Sequence, residues 1–449
     1  MFKNQKLTLA YPFIFLCLFG IGSFIFGSST TTVTSPNVID YTMNSSDVVF
    51  LIICSAFVFL MTPGLSFFYG GMVSKKNVLS TLIKSFIATG VVTILWIFVG
   101  YSLAFGDSIF GIFGNPFTHA FFRGIVLDKA WVLAPTIPIV LFAMFQLKFA
   151  IITPALVVGG VAERIRFMGF LTFIVLFVLF VYAPIAHWTW HPNGILFKLG
   201  VIDFAGGTVV HISGGCAALA GAMVLKRRKA HVDGVKSEPA NIPFVVLGTG
   251  LLWFGWFGFN AGSAMSPNKI SVNALIVTNI ASAVAGITWV LFDYMRKKKP
   301  SIMGFCIGAV VGLVAITPAA GFVSITHSVV IGIIAALVSN LAILGQSKSK
   351  IIDDTLDVFP CHGIGGIVGM VLTGVFASKQ VNPDGPDGLL YGNTSLFFTQ
   401  ILGMLIVVAF SFSVSWLIFK LIHSMKLLRV SPDDEEKGLD ITQHGEVYH

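Results

Sequence analysis

The sequence is poor in charged residues. Only 11% of its 449 residues are Asp, Glu, Lys or Arg, whereas 55% are hydrophobic, and the mean hydropathy is +0.89. A soluble globular domain carries roughly one-quarter charged residues. This shortage of charge excludes a water-soluble fold and predicts an integral membrane protein.

Cysteine is scarce as well. The chain has five, all within apolar segments, and no two have the close spacing of a metal knuckle or a redox motif: Cys17, Cys54, Cys216, Cys306 and Cys361. We therefore expect no disulfide, no structural metal site and no cofactor.

The N-terminal segment has the layout of a secretory signal peptide. Lys3 and Lys6 precede an apolar stretch from Leu9 to Phe26, and small residues follow at 27–29. This order predicts a signal peptide over residues 1–29. An additional helix that is not cleaved is the alternative.

Long apolar stretches occupy most of the remaining chain. A segment of about 20 apolar residues crosses the hydrocarbon core as a helix, because a helix satisfies every backbone group internally. Eleven such stretches predict an all-α membrane domain over residues 46–425, followed by a polar tail at 426–449: Asp47 to Met72, Val78 to Phe105, Ala134 to Val161, Phe167 to Trp188, Phe204 to Leu225, Ile242 to Ala264, Val272 to Tyr294, Ile302 to Pro318, His327 to Leu344, Leu356 to Ala377, and Ser395 to Ile422.

Basic residues fall mainly in alternate loops. One set of loops, with the tail, holds clusters of Lys and Arg, at 75–76, 164–166, 226–229, 296–299, 348–350 and 426–429. Cytoplasmic loops carry this excess, so the domain should start outside a cell membrane and end inside. The net charge of +8 then reflects topology, and no nucleic-acid partner is expected. The acidic cluster at 433–436 is interpreted as a solvated end.

The number eleven favours two inverted repeats of five helices with one extra C-terminal helix. The fifth and tenth stretches have similar patterns. Asp203 and then His211 precede a glycine pair, as do Asp357 and then His362. The two helices would meet at the membrane midplane as pseudo-symmetry mates.

Ionisable residues inside membrane helices are costly, so each is a candidate functional residue. His211 and His362 either line one lumen, where neutral imidazoles relay a hydrogen bond, or are unrelated residues bonded to backbone carbonyls. Asp203 is an N-cap, an anion near the outer mouth, or both. Lys148 lies mid-helix, and its sequence context does not explain it.

Aromatic residues cluster near the predicted outer ends of helices: Phe145, Phe149, Trp188, Trp190, Trp253, Trp256 and Phe259. They are typical of an interfacial belt. The alternative is a site where ring faces hold a small cation and offset part of its dehydration cost.

Several motifs, in order along the chain, resemble those of the ammonium transporter (Amt/MEP/Rh) family. The similar segments are 62–71 (TPGLSFFYGG), 162–167 (AERIRF), 203–211 (DFAGGTVVH), 256–263 (WFGFNAGS), 317–321 (TPAAG), 357–363 (DVFPCHG) and the tail residues 438–446. Together they cover the chain from about residue 46 onward.

The resemblance implies roles for individual residues. Substrate would bind at an outer site of Trp190, Phe149 and Ser263, with Asp203 near the mouth. Phe149 and Phe259 would form a stacked gate. His211, His362, Trp256 and Thr317 would belong to the pore.

The resemblance also implies a homotrimer with one pore per subunit and, in bacteria, a P-II signalling protein as partner at the cytoplasmic face. Ammonium would lose its proton at the gate and cross as ammonia, with the proton returning outward or using a separate relay. Three alternatives are a Rh-like gas channel, which the region around Trp190 disfavours, an ammonium sensor, and a membrane hydrolase, for which no nucleophile elbow is present.

Overall fold

A computed structural model describes residues 35–235 and 237–449, together with residues 17, 18, 20–22 and 25. The predicted signal peptide at 1–29 lies almost entirely outside the described residues and stays a prediction.

The described part of the chain is a multi-pass helical bundle. Ten of its helices are long and apolar enough to cross a membrane. In chain order, with the shorter α8 included, the helices are α1 (Ser45–Met72), α2 (Lys75–Phe105), α3 (Ile139–Val161), α4 (Phe167–Leu199), α5 (Gly207–Leu225), α6 (Ile242–Gly262), α7 (Lys269–Met295), α8 (Ile302–Ile316), α9 (Ile325–Ser347), α10 (Phe359–Phe376) and α11 (Thr394–Ser424).

Helix α8 differs from the rest in length. The apolar stretch predicted from Ile302 to Pro318 forms a helix of 15 residues, about 22 Å long, which is shorter than the hydrocarbon core. The all-α membrane fold is therefore confirmed, while the count of eleven crossing helices stays a prediction.

Four short strands lie at one end of the bundle. β1 (Val38–Asp40) pairs antiparallel with β4 (Lys129–Trp131), and β2 (Ser108–Ile109) pairs with β3 (Phe113–Gly114). The tail contacts the opposite end, at the start of α2. We call these two ends the strand face and the tail face.

Helices α5 and α10 each begin with a π turn, at Gly207–Ile212 and Phe359–Ile364. Their backbones touch: a Cβ atom on Gly215 would lie 2.2 Å from the Gly363 nitrogen. Small residues permit this approach of membrane helices. The two histidine-bearing segments, His211 and His362, are therefore packed directly against each other.

An aspartate caps each of these helices. The carboxylate of Asp203 accepts from the first amides of α5, and the Asp354 carboxylate accepts from the Val358 and Phe359 amides. The sequence pattern had indicated Asp357 as the match of Asp203, and this is wrong. Asp354 precedes His362 by eight positions, as Asp203 precedes His211. In both helices, the capping residue is therefore the aspartate eight positions before the histidine.

A buried ion cluster joins three loops at the tail face. The Arg228 guanidinium lies 2.6 Å from a Glu163 oxygen and 2.9 Å from an Asp353 oxygen. Burial alone would raise the pKa of both carboxyls, but the contacts with Arg228 hold each pKa below its usual value. The cluster therefore ties the loop after α3 to the loops before α6 and α10.

The tail is docked on the tail face. The Asp440 carboxylate accepts from the Leu79 and Ser80 amides at the start of α2. Glu435, in the short helix α12 (Pro432–Lys437), is buried and bonds Arg429 and the Lys229 amide. The interpretation of the acidic cluster as a solvated end is thus wrong for Glu435.

Replacing Arg228 should destabilise the fold strongly. In Arg228→Met two buried carboxylates lose their counter-charge, so the free energy of unfolding should fall by about 3–5 kcal/mol. In the unmodified chain, the cluster contributes its whole stabilisation at pH values above the ordinary carboxyl pKa of about 4. This contribution is lost as the pH falls through the lowered pKa values that the two carboxyls have in the folded protein. Thermal unfolding in detergent measures both effects.

Lys229→Met is the matched control. Lys229 forms an exposed pair with Glu436, which water and salt screen, so its loss should leave the free energy of unfolding nearly unchanged. Equal destabilisation by the two variants would contradict a special role for the buried cluster.

Releasing the tail should require only one substitution. Asp440→Ala removes a helix cap worth about 1 kcal/mol, so cleavage of the tail by trypsin near Lys437 should become faster. Asp433→Ala, at an exposed position of α12, should leave the cleavage rate unchanged. An unchanged rate for Asp440→Ala would show that the tail is held by other contacts.

Candidate functional site

The two helix histidines form one pair. Nδ1 of His211 and Nδ1 of His362 are 3.3 Å apart, and the rings are nearly parallel, with centroids 5.5 Å apart. Both are buried. At this distance one nitrogen donates and the other accepts, so two neutral rings share a single hydrogen between these atoms. The structure thus brings together the residues expected to meet.

An indole ring supports the pair from the side. His211 stacks on Trp256 at 5.2 Å, and Trp256 Nε1 donates to the Thr317 hydroxyl at 2.8 Å. That hydroxyl donates in turn to the Leu313 carbonyl. Thr317 therefore fixes the orientation of the Trp256 indole beside His211.

A narrow cavity runs past the histidine pair. Its walls are apolar apart from the imidazole and indole rings, and its lining consists of Met61, Leu65, Ile152, Leu156, Val210, His211, Leu252, Trp256, Phe259, Val310 and His362. Within the described chain, His211 Nε2 has no hydrogen-bond partner. The cavity thus offers a small guest the free Nε2 of His211 in apolar surroundings.

Two stacked phenylalanine rings lie between this cavity and Trp190. Phe149 and Phe259 stack with centroids 4.1 Å apart, and Phe259 lies 6.1 Å from His211. On the other side Phe149 meets the Trp190 edge at 5.8 Å. The order from the strand face inward is Trp190, the stacked pair, and the histidines.

Above the stacked pair lie an indole and a hydroxyl. Trp190 Nε1 donates to the Asp203 carbonyl at 3.0 Å, which fixes the ring, and both Trp190 and Ser263 are half-buried. Ser263 donates to the Phe259 carbonyl, so its oxygen lone pairs remain free to accept. A ring face and a hydroxyl oxygen are groups that attract a small cation.

The Asp203 carboxylate is used internally. It is 7% exposed and accepts from the amides of Gly206, Gly207 and Thr208 and from the Thr208 hydroxyl. This is a helix cap, as one of the two interpretations predicted.

Trp188 and Asp354 lie away from the histidine pair and the stacked rings. Trp188 is one of the aromatic candidates that the sequence indicated, whereas Asp354 is not. Trp188 donates to the Ile112 carbonyl and packs on Phe410 of α11. Asp354 was missed, although its eight-position spacing to His362 repeats that of Asp203 and would have indicated it.

The same chain matches known proteins over most of its length. The model of the Ammonium Transporter Family matches residues 49–448. An ammonium transporter of Bacillus subtilis (strain 168) is 46% identical over 406 residues, which is 90% of this chain and 98% of that protein. Ammonium transporter Amt1 of Archaeoglobus fulgidus is 43% identical over 405 residues, covering 90% and 99%.

Solved structures agree with these sequences. The crystal structure of Saccharomyces cerevisiae Mep2 matches with a TM-score of 0.81 at 36% identity, over 87% of this chain and 88% of that one. A structure titled Sensor Amt Protein matches with a TM-score of 0.80 at 30% identity, over 89% and 98%. The chain therefore belongs to the ammonium transporter family, as a multi-pass membrane transporter of ammonium and not an enzyme.

Proposed function

We propose that the chain recruits ammonium at the strand face, removes its proton at the stacked phenylalanines, and conducts ammonia along the histidine pair. One observation carries the proposal: the His211–His362 pair lies in an apolar cavity directly behind two stacked rings. An ion that enters this cavity loses its hydration shell at a large cost in free energy, whereas a neutral small molecule enters at a much smaller cost.

Recruitment rests on Trp190, Phe149 and Ser263. Ammonium is protonated at neutral pH, and ring faces hold a cation with about 0.5–2 kcal/mol per contact. Asp203 adds a fixed negative charge behind Trp190, linked to it through the bond to the Asp203 carbonyl. The stacked Phe149 and Phe259 rings block a hydrated ion, so the substrate must release its proton to continue.

Passage rests on the histidine pair. Ammonia donates three N–H groups and accepts at one lone pair, and neutral imidazoles offer both complementary functions. The free His211 Nε2 is an acceptor or donor for it, depending on where the shared hydrogen sits. Potassium has no proton to lose, so the same passage excludes it. The proton either returns outward or follows a separate relay.

We further propose that the strand face is extracellular and the tail face cytoplasmic, in a cell membrane. The support is the concentration of Lys and Arg in the tail-face loops. The family resemblance supports a homotrimer, and the ordered tail beside Arg228 offers a P-II protein a defined surface at the cytoplasmic end.

Growth on low ammonium tests the substrate. Expression of the chain should restore growth to cells that lack ammonium uptake, and the double variant His211→Ala/His362→Ala, at equal expression, should abolish this growth. Current measured on a supported membrane then distinguishes charge movement from ammonia conduction. Wild-type uptake by the double variant would remove the pair from the mechanism.

The outer site should set affinity. Trp190→Leu removes one ring contact, so the ammonium concentration for half-maximal uptake should rise about 2- to 30-fold, as expected for 0.5–2 kcal/mol. Trp416→Leu, at a partly exposed indole on α11, is the control and should leave uptake unchanged. Equal responses of the two variants would argue against a binding role for Trp190.

A further inference from the structure

Lys148 is a charged residue in the middle of a membrane helix. It lies nine positions after Ile139 in α3, about 13 Å from the strand-face end of that helix. Its Nζ lies 5.4 Å from the Phe59 ring centroid of α1, and the described residues give it neither a hydrogen bond nor an ion pair. One ring contact offsets only part of the cost of an amine in hydrocarbon.

Asn279 is a second polar residue in a membrane helix whose side chain has no hydrogen bond to the described residues. It is exposed in the middle of α7, ten positions after Lys269. The exposed stripe that contains it is otherwise apolar: Val272, Leu275, Ile287 and Leu291. A carboxamide directed toward lipid leaves its oxygen and its N–H groups unsatisfied.

Lys148 and Asn279 lie at similar distances from the first residues of α3 and α7, and α6 contacts both of these helices. Lys148 precedes Phe149, and Phe149 stacks on Phe259. The next residue, Asn260, donates to Thr278 at 2.8 Å, and Asn279 follows Thr278. This chain of contacts runs from α3 through α6 to α7.

Equal depth matters for an assembly. Copies related by an axis along the membrane normal keep every atom at its depth, so the partner of Lys148 on a neighbouring copy must lie at that level on another face. We propose that Lys148 of each subunit donates a hydrogen bond to Asn279 Oδ1 of the adjacent subunit. This contact rests on the proposed homotrimer and specifies one of its interfaces.

The contact joins two unlike faces, which is the arrangement that closes into a ring. On one side are Lys148, Phe59 and the exposed Ile52 of α1; on the other is the α7 stripe. Both faces are apolar around their single polar residue. Joining them satisfies the amine and the carboxamide together and removes both from lipid.

Cross-linking between subunits tests the contact. The double variant Lys148→Cys/Asn279→Cys, treated in membranes with a short bis-maleimide that spans the length of the replaced lysine side chain, should form covalent dimers and trimers on denaturing gels. Each single variant sets the background from the five native cysteines. Lys148→Cys/Leu405→Cys is the matched control, because Leu405 is exposed at a similar distance along α11 and should give no product above background.

A charge change provides a second readout. Asn279→Asp should convert the hydrogen bond into an ion pair and raise the temperature at which the oligomer dissociates in detergent. In a Lys148→Met background the same substitution should give no increase. An increase that persists without Lys148 overturns the proposal.

Three other outcomes also overturn it. They are a monomer by native mass measurement, equal cross-linking of the Leu405 control, and an oligomer whose stability depends on Lys148 and anionic lipid but not on Asn279. The last would assign the amine to a lipid phosphate. Ammonium uptake by the unmodified chain is measured separately, so an absent cross-link with intact uptake removes only this contact.

Discussion

The cost of a positive charge in an apolar cavity is the physical constraint on which the proposed mechanism depends. Ammonium arrives charged, and the cavity beside His211 and His362 is walled by apolar side chains. Aromatic faces and a hydroxyl lie before the stacked Phe149 and Phe259, and neutral imidazoles lie behind them. In the proposed mechanism, the groups that attract the ion and the cavity that excludes it are separated by the thickness of these two rings.

Hydropathy predicted the membrane bundle well, because spanning helices must be both long and apolar. Hydropathy does not indicate which helices are buried within the bundle: α8 has 15 residues and is largely buried. The docked tail was also missed, since the contacts of Asp440 and Glu435 depend on loops far away in the sequence.

The motifs predicted which residues belong to the candidate site, but the sequence does not indicate how their side chains are arranged. Sequence spacing does not indicate that Thr317 orients Trp256, or that the two histidines approach through Nδ1. The same limit applies to Asp203, whose carboxylate proved to be occupied by backbone amides. Conversely, the repeated interval of eight positions held enough information to find Asp354.

The paired caps have an electrostatic consequence for both ends of the passage. Helices α5 and α10 run in opposite directions, so one N-terminus points toward each face. An uncapped N-terminus carries about half a positive charge and would repel an approaching ammonium ion from either side. Seated at these termini, the carboxylates of Asp203 and Asp354 offset the partial positive charge of each helix, so neither terminus adds its own repulsion to a cation that approaches the histidine pair.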